Sequence, residues 1–186
     1  MQFAGDILPE RILVTSMSDL FHESIPDDYV RQVFDVVVRA DWHVFQVLTK
    51  RAPRLARLGR SLPWRPHLWA GVSIESNQYT FRADHLRKVP APIRFISAEP
   101  LLGPLPSLDL GGIDWLIVGG ESGTDRRPIE ESWVLALRDA ADRAGVAFFF
   151  KQWGGRVAKS GGRLLEGRTY DGFPESWGNR NLVPSG

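Results

Sequence analysis

Acidic, basic and polar side chains follow each of six apolar stretches in this sequence, and these are the residue types that could do chemistry. Six of them could serve as general acids or bases: Asp19, Lys50, Glu75, Glu99, Glu121 and Lys151. If the apolar stretches are parallel strands, their carboxyl ends share one edge, and we expect these side chains to line a common catalytic cavity. The alternative is that solvent begins where a strand ends, so that the charges there are only solvated.

A second set of residues lies beside these and is predicted to bind a ligand or an anion. It comprises Ser16, Ser18, Ser73, Asn77, Gly119, Gly120, Ser122, Gln152 and Trp153. Within it, residues 119–123 (GGESG) would let backbone N–H groups approach a phosphate or carboxylate closely. The alternative is a tight turn that requires positive φ. The segment has neither the P-loop ending nor the dinucleotide-binding glycine spacing.

The carboxylates of the first set could also hold Mg²⁺ or Mn²⁺, whereas Lys50 and Lys151 could equally neutralise them as internal ion pairs. The sequence contains no cysteine. A disulfide framework, a Cys-ligated zinc ion, a thiol nucleophile and an iron–sulfur cluster held by this chain are therefore excluded. The chemistry available leaves a divalent metal as an open cofactor class.

A run of arginines lies in a stretch without acidic residues, residues 42–74. Its members are Arg51, Arg54, Arg57 and Arg60, of which the last three recur every three residues. On a helix they would share a side and form a basic ridge that contacts nucleic-acid phosphates, with Trp64 or Trp69 nearby for stacking. The alternative is a solvated face of an Arg-rich protein.

The elements that must position these residues are read from hydrophobic patterning. Continuous apolar runs predict buried parallel strands at residues 11–17, 43–49, 67–74, 93–98, 115–118 and 146–150. Helical spacing predicts helices at residues 26–39, 53–62, 76–88 and 128–144, with Ser76 as an N-cap and Gly145 as a C-cap residue. The Pro- and Gly-rich connection at residues 100–114 is predicted to be irregular.

This alternation predicts an α/β domain. Six strands are too few for a closed eight-stranded barrel, so we expect an incomplete TIM-like (β/α) barrel over residues 1–154. A doubly wound open sheet is the competing arrangement, and it would place the site at the same edge. Residues 155–186 are predicted to form a Gly-rich hairpin tail packed on the same domain, with turns at residues 161–162 and 166–167.

Overall composition narrows the function classes. The chain has 186 residues and a net charge of +1, which gives no global attraction to nucleic acid or to anionic lipid. No stretch of the sequence approaches the roughly 18 apolar residues of a membrane span, and no secretory signal precedes the first strand. We therefore expect no membrane partner and a cytoplasmic location.

Six segments, in order, resemble one protein family. They are SMSDLFHESIPDDYV (16–30), FQVLTKR (45–51), WAGVSIES (69–76), RFISAEPLLGP (94–104), WLIVGGESG (115–123) and FFFKQWG (148–154). These runs resemble the uncharacterised phage Gp thirty-seven/Gp sixty-eight family, a domain of unknown function with radical-SAM-like barrel character. The resemblance implies a barrel fold, S-adenosylmethionine as a cofactor, and longer relatives with an additional amino-terminal cysteine cluster. This chain would then be a barrel without the cluster ligands.

Three functions follow as hypotheses. The first is a truncated or cluster-free barrel of the family, related to S-adenosylmethionine or nucleotide enzymes and catalytically silent on its own. The second is a metal- or phosphate-assisted enzyme acting on nucleotides or nucleic acid, and the third is a nucleic-acid-binding phage accessory protein. In the family pattern the first strand loses one neighbour, so we expect residues before Arg11, the tail or a second copy of the chain to cover that edge.

Overall fold

The computed structural model describes residues 10–14, 19–157 and 160–174, and these fold around one parallel sheet. Its strands are β1 (Arg11–Val14), β2 (Val44–Thr49), β3 (Leu68–Ser73), β4 (Ile93–Ala98), β5 (Trp115–Gly119) and β6 (Ala147–Gln152). The strands lie side by side in chain order, and the sheet curls into a half-barrel. The predicted incomplete barrel is confirmed. The doubly wound alternative is wrong, because such a sheet reverses its strand order at a switch point.

Four α-helices connect the strands: α1 (Asp27–Arg39), α2 (Ala52–Gly59), α3 (Phe81–Leu86) and α4 (Glu131–Ala144). Gly145 ends α4 in the left-handed conformation at φ 66°, as predicted for a C-cap glycine. Residues 76–88 do not form one helix. A 3-10 turn at Asn77–Tyr79 precedes α3, and Ser76 makes no side-chain capping bond there. The Thr80 hydroxyl instead donates to the Asn77 carbonyl at 2.9 Å and stabilises this short turn.

The two faces of the sheet differ in what covers them. The convex face packs against the apolar stripes of all four helices, and this layer is the main core. The opposite, concave face forms a separate cluster to which no helix contributes a buried residue among the described residues. Its members are Val44, Trp69, Ile93, Phe95, Trp115 and Ile117. Burial on both faces explains why the strands read as continuous apolar runs.

Gly71 of β3 gives the concave face its close aromatic packing. An added Cβ at Gly71 would lie 2.3 Å from Cζ of Phe95, because the Phe95 ring lies across this glycine. Trp115 packs against the same ring with a centroid separation of 6.0 Å. A side chain at position 71 would therefore displace the rings that form the inner wall of the half-barrel.

The tail covers the outer edge of β6. Phe150 N–H donates to the Tyr170 carbonyl and Gly172 N–H donates to the Phe148 carbonyl, each at 2.9 Å. A two-residue turn at Glu166 and Gly167, both with positive φ, forms one of the two predicted hairpins.

The described part of the tail, residues 160–174, thus pairs with the last strand. Phe173 within it contacts β1, since the Arg11 guanidinium lies 4.5 Å from the centroid of its ring. Coverage of the outer edge of β1 stays a prediction.

The remaining connections agree with the sequence pattern. Residues 100–114 contain no helix or strand, as predicted. The Glu99–Pro100 peptide bond is cis, and the chain after it is tied down by Leu101 N–H donating to the Gly119 carbonyl at 2.9 Å. Within the described part of the chain, no helix has the length and apolarity needed to cross a membrane.

Candidate functional site

A cavity of about 290 Å³ occupies the concave face of the half-barrel. Its walls are aromatic and come from β4, β5, β6 and the tail: Phe95, Trp115, Phe149 and Phe173. Five polar or charged side chains also line it: Arg11, Gln46, Ser97, Glu99 and Lys151. Glu99 and Lys151 directly follow the apolar parts of their strands and therefore stand at the carboxyl edge. The cavity thus combines an apolar interior with a charged opening, as small-molecule sites commonly do.

Glu99 and Lys151 form an ion pair at this opening. Lys151 Nζ lies 3.1 Å from Glu99 Oε1, and the two side chains are 54% and 18% exposed, respectively. Ser97 Oγ lies 3.4 Å from the other carboxylate oxygen, Oε2. The mostly buried carboxylate is therefore neutralised by an ammonium group that solvent or a ligand can reach.

Gly119 makes room for this ion pair. An added Cβ at position 119 would lie 2.7 Å from Glu99 Oε1 and 3.1 Å from its Cδ. Gly120, the next residue, allows an equally close approach by the backbone carbonyl of Trp153. Neither Gly119 nor Gly120 has positive φ, whereas Gly123 of the same segment does, at 136°. The tight-turn interpretation is therefore supported at Gly123 and wrong for the first two glycines. Gly120 N–H donates to the Gln152 carbonyl at 2.8 Å, so the Gly120 donor expected for an anion is already used.

Glu75 is the most buried acid of the predicted set. Its side chain is 7% exposed and contacts Lys50, which reaches it from the end of β2. Arg82 of α3 donates to Glu75 Oε2 at 3.0 Å and to the Ser73 carbonyl at 2.7 Å. Burial raises the pKa of the Glu75 carboxyl, but the bonds from Lys50 and the backbone and the Arg82 charge together hold that pKa below its ordinary value of 4.5. This carboxylate stays ionised and ties β2, β3 and α3 together.

Glu121 belongs to a third ion pair along the same edge. The Arg127 guanidinium donates to both Glu121 oxygens, at 2.7 and 2.9 Å, and the Arg127 backbone N–H donates at 2.9 Å. These bonds lower the pKa of Glu121 from 4.5 to about 2. The pair closes the loop after β5, and Glu121 does not line the cavity of Glu99.

Asp19 holds the loop after β1 against the end of β2. Its carboxylate accepts hydrogen bonds from Phe21 N–H at 2.9 Å, from Thr49 Oγ1 at 2.6 Å and from Lys50 N–H at 3.1 Å. This pattern is that of a loop-fixing aspartate. Asp19 thus lies at the predicted edge but is used locally.

The predicted ligand-binding serine, asparagine, glutamine and tryptophan side chains are used in contacts within the protein wherever the structure describes them. Ser73 is buried at the end of β3, and Asn77 bonds to both the backbone and the hydroxyl of Ser107. Gln152 donates to Ser122 Oγ at 3.2 Å, and Trp153 donates from Nε1 to the Leu164 carbonyl at 2.7 Å. None of these side chains lines the concave cavity. Ser16 and Ser18 lie outside the described residues.

The predicted basic ridge is partly neutralised. Arg54 donates to Asp27 of α1 and to the carbonyls of His22 and Ile25, and its side chain is 12% exposed. Arg57 binds the same Asp27 at 3.0 Å. The hydrogen bonds from Arg57 and Arg54 together hold the pKa of Asp27 below its ordinary value of 3.8. Arg51 and Arg60 are exposed and make no side-chain ion pair with the rest of the described chain.

Sequence reasoning missed the residues that complete the cavity. Gln46 and Ser97 are mid-strand side chains, and alternation along a strand on which both faces are buried gives no signal for which face is concave. Phe173 completes the cavity from the tail. Arg82, also missed, contacts Glu75 outside the cavity and lies within a helix whose predicted stripe was apolar. Only the position of Ser97, two residues before Glu99 on the same strand face, could have indicated its role.

The acidic side chains at the carboxyl edge of the sheet are neutralised by basic side chains. Glu75, Glu99 and Glu121 each contact a Lys or Arg side chain. In the described part of the chain, no three His, Asp or Glu side chains cluster in a way that could hold a metal ion. A ligand that uses this edge must therefore exchange contacts with an existing ion pair.

Comparison with known proteins identifies the chain by family. No curated protein and no solved structure matches it. A family model described as "Protein of unknown function (DUF5131)" matches residues 6–174, which include all six strands and the described tail. The protein is therefore a member of the DUF5131 family.

Proposed function

We propose that this half-barrel is a phage-type, radical-SAM-like barrel without a cluster, which binds a nucleoside-type small molecule and has no catalytic activity on its own. S-adenosylmethionine and nucleotides are the ligand class. One observation carries the proposal: an aromatic-walled concave cavity opens beside the solvent-accessible Glu99–Lys151 pair. The fold supports it as well, since a six-stranded half-barrel of parallel strands presents ligands at its carboxyl edge.

The aromatic walls suit a flat heterocycle. Trp115 contacts Phe95, Phe149 and Phe173 with ring centroids 4.9–6.0 Å apart, so a purine entering the cavity would meet ring faces and edges. The volume of about 290 Å³ is close to the lower end of the range of roughly 300–1,000 Å³ for small-molecule sites. The cavity therefore suits the base of a nucleoside better than a polymer.

The charged opening suits the polar part of such a ligand. Lys151 can exchange its bond to Glu99 for a phosphate or carboxylate, and Glu99 can then accept hydrogen bonds from hydroxyl or ammonium groups. The exchange costs little because Lys151 is half-exposed and already hydrated. Ser97 keeps the carboxylate oriented during the exchange.

The residues of this chain do not fit an iron–sulfur cluster. The sequence contains no cysteine, and thiolates are the ligands that hold such clusters. No step of radical chemistry is therefore assigned to its residues. S-adenosylmethionine nevertheless suits the cavity as a bound ligand. Its adenine matches the aromatic walls, and its ribose hydroxyls and amino-acid group match the charged opening.

The metal- or phosphate-assisted enzyme is less well supported. Three of the four acids predicted to hold a cation contact a Lys or Arg side chain instead, namely Glu75, Glu99 and Glu121. Asp19 is used by backbone N–H groups and Thr49, and the Glu121 carboxylate lies away from the cavity. A divalent cation would have to displace these partners.

Calorimetric titration tests the proposal. Wild-type protein titrated with adenosine, AMP, S-adenosylmethionine or S-adenosylhomocysteine should bind at least one with a Kd below about 1 mM, that is, with more than about 4 kcal/mol of binding free energy. Lys151→Met should weaken binding of AMP and of the S-adenosyl compounds more than that of adenosine, because only the former carry an anionic group.

Lys88→Met is the matched control, since Lys88 is exposed and does not line the cavity. It should bind all four compounds as the wild type does. Absence of binding for every compound at millimolar concentration would contradict the proposed function.

A further inference from the structure

Phe173 lines two cavities of the half-barrel. It lines the concave cavity of about 290 Å³ and also a second cavity of about 590 Å³. The second cavity is bordered by Ile93, Asp114 and Ala147, which lie at the amino-terminal starts of β4, β5 and β6. The Phe173 ring is thus shared by the cavity of the Glu99–Lys151 pair and by a cavity at the amino-terminal ends of the strands.

Neighbouring side chains surround the Phe173 ring on several sides. Its centroid lies 4.9 Å from that of Trp115 and 5.4 Å from that of Phe149. The guanidinium of Arg11 lies 4.5 Å from the same centroid, on the far side of the open half-barrel. The Phe173 ring is thus held between the first strand and the last two strands, at the end of the concave cavity away from the Glu99–Lys151 pair.

Hydrogen bonds hold the chain segment that precedes Phe173 in place. Trp115 Nε1 donates to the Gly172 carbonyl at 2.8 Å, and Gly172 N–H donates to the Phe148 carbonyl at 2.9 Å. An added Cβ at Gly172 would lie 2.5 Å from that Phe148 oxygen. Tyr170, two residues earlier, accepts bonds from Arg138 and Arg168, each at 2.9 Å. The segment therefore holds Phe173 at a defined depth.

We propose that Phe173 is the floor of the ligand cavity and a specificity-determining residue that limits how deep a ring can enter. The identity of the ligand in this inference rests on the proposed function. The base of a nucleoside would lie deepest in the cavity, against Trp115 and Phe173. The proposed ligands are therefore nucleosides without a bulky substituent on the edge of the base. Bulkier bases are excluded because Phe173 blocks the passage to the second cavity.

The test compares wild type with Phe173→Ala and Phe173→Leu, using adenosine and N6-benzyladenosine as probes. Loss of one aromatic contact should weaken adenosine binding by about three- to tenfold. N6-benzyladenosine, which is excluded from the wild type, should bind Phe173→Ala, because its benzyl group can pass into the second cavity. Phe81→Ala is the matched control, since Phe81 is exposed on α3. An unchanged affinity ratio in both folded Phe173 variants would overturn the proposal.

A second readout does not depend on nucleosides. Removing the Phe173 ring should let indole pass from the concave cavity to the second cavity, where NMR would detect contacts with Ile93 and Ala147 in Phe173→Ala but not in wild type or Phe81→Ala. If no nucleoside binds the wild type but indole reaches the second cavity of Phe173→Ala alone, the proposed function fails and the floor assignment stands. If indole reaches the second cavity in none of the folded variants, or in wild type as well, the floor assignment is wrong. Phe173→Leu serves if the alanine variant does not fold.

Discussion

The ammonium group of Lys151 lies 3.1 Å from the carboxylate of Glu99 and joins the carboxyl ends of β6 and β4 across β5. The two residues are 52 positions apart in the chain, and Gly119 on the strand between them has no side chain to separate them. The pair thus depends on three consecutive strands.

A double-mutant cycle measures how much this pair stabilises the fold. Glu99→Gln, Lys151→Met and the double variant should give a coupling free energy of about 0.5–1 kcal/mol in urea unfolding, because Lys151 is half-exposed. Lys88→Met combined with Glu99→Gln should show no coupling. A coupling energy indistinguishable from zero would mean that the ion pair has no role in stability.

Gly119→Ala should abolish the pair without unfolding the protein. The added methyl group meets the flexible end of Glu99, which can rotate away, so we expect the unfolding free energy to change by less than about 1 kcal/mol. Adenosine affinity should nevertheless fall by about tenfold, because the charged opening is rearranged. Gly103→Ala is the matched control, since nothing lies within 4 Å of an added Cβ there. Unchanged adenosine affinity in Gly119→Ala would show that the Glu99–Lys151 ion pair does not contribute to binding.

The Glu121–Arg127 pair should respond to acid. Because the pKa of Glu121 in the folded protein is about 2, below its ordinary value of 4.5, the stability from this pair is present above pH 4.5 and is lost as the pH falls toward 2. Carboxyl NMR should show a titration midpoint for Glu121 near 2 in the wild type and nearer 4.5 in Arg127→Gln. Arg126→Gln should leave the midpoint unchanged. A wild-type midpoint near 4.5 would show that Arg127 does not hold the carboxylate in solution.

Nucleic-acid binding by the basic ridge can be tested on the two arginines that Asp27 does not neutralise. If the ridge contacts phosphates, Arg51→Ala combined with Arg60→Ala should weaken binding of single-stranded DNA and lower its salt slope by about 0.7 unit per lost contact. Fluorescence anisotropy at several salt concentrations measures both. Arg143→Ala, an exposed arginine at the end of α4, controls for net charge. Identical slopes in wild type and the double variant would leave the ridge as a solvated face.

Self-association through β1 stays a prediction. We expect the mass measured by light scattering to rise with concentration, together with slow hydrogen exchange at Leu13, because a parallel edge strand pairs with another chain if nothing else covers it. The Leu13 amide is the reporter because the parallel register of Arg11 with Val44 turns the Ile12 amide toward β2. A constant monomer mass with rapid exchange at Leu13 would show that the edge stays uncovered.

Much of the fold could be predicted because its signals are local. The strand at residues 93–98 was predicted with the bounds that the structure has, and the glycine that ends α4 is a strong local stop signal. The C-cap at Gly145 needs φ > 0, which Gly adopts without strain. By contrast, the 3-10 turn before α3 is held by Asn77 bonding to Ser107, 30 residues away.

The sequence predicts at which edge of the sheet the charged residues lie, but not which residues they pair with. Glu75, Glu99 and Lys151 lie at one edge because the carboxyl ends of parallel strands meet there. Which cation faces which carboxylate depends on the packing of α3 for Arg82 and on the path of the loop after β5 for Arg127. The neutralisation of Arg54 and Arg57 could not be foreseen, because Asp27 reaches them from another helix. Pairings over such distances leave no local pattern.

The strand order also bears on how the protein unfolds. Since each strand pairs only with the strands before and after it in the chain, the sheet is connected like a short linear array of repeats. In such an array, cooperativity passes between nearest neighbours, and the terminal units open first. Arg11 and Phe173 connect the two ends of this array through a cation–π contact. This contact closes the array into a ring of interactions, so loosening one end weakens a contact of the other.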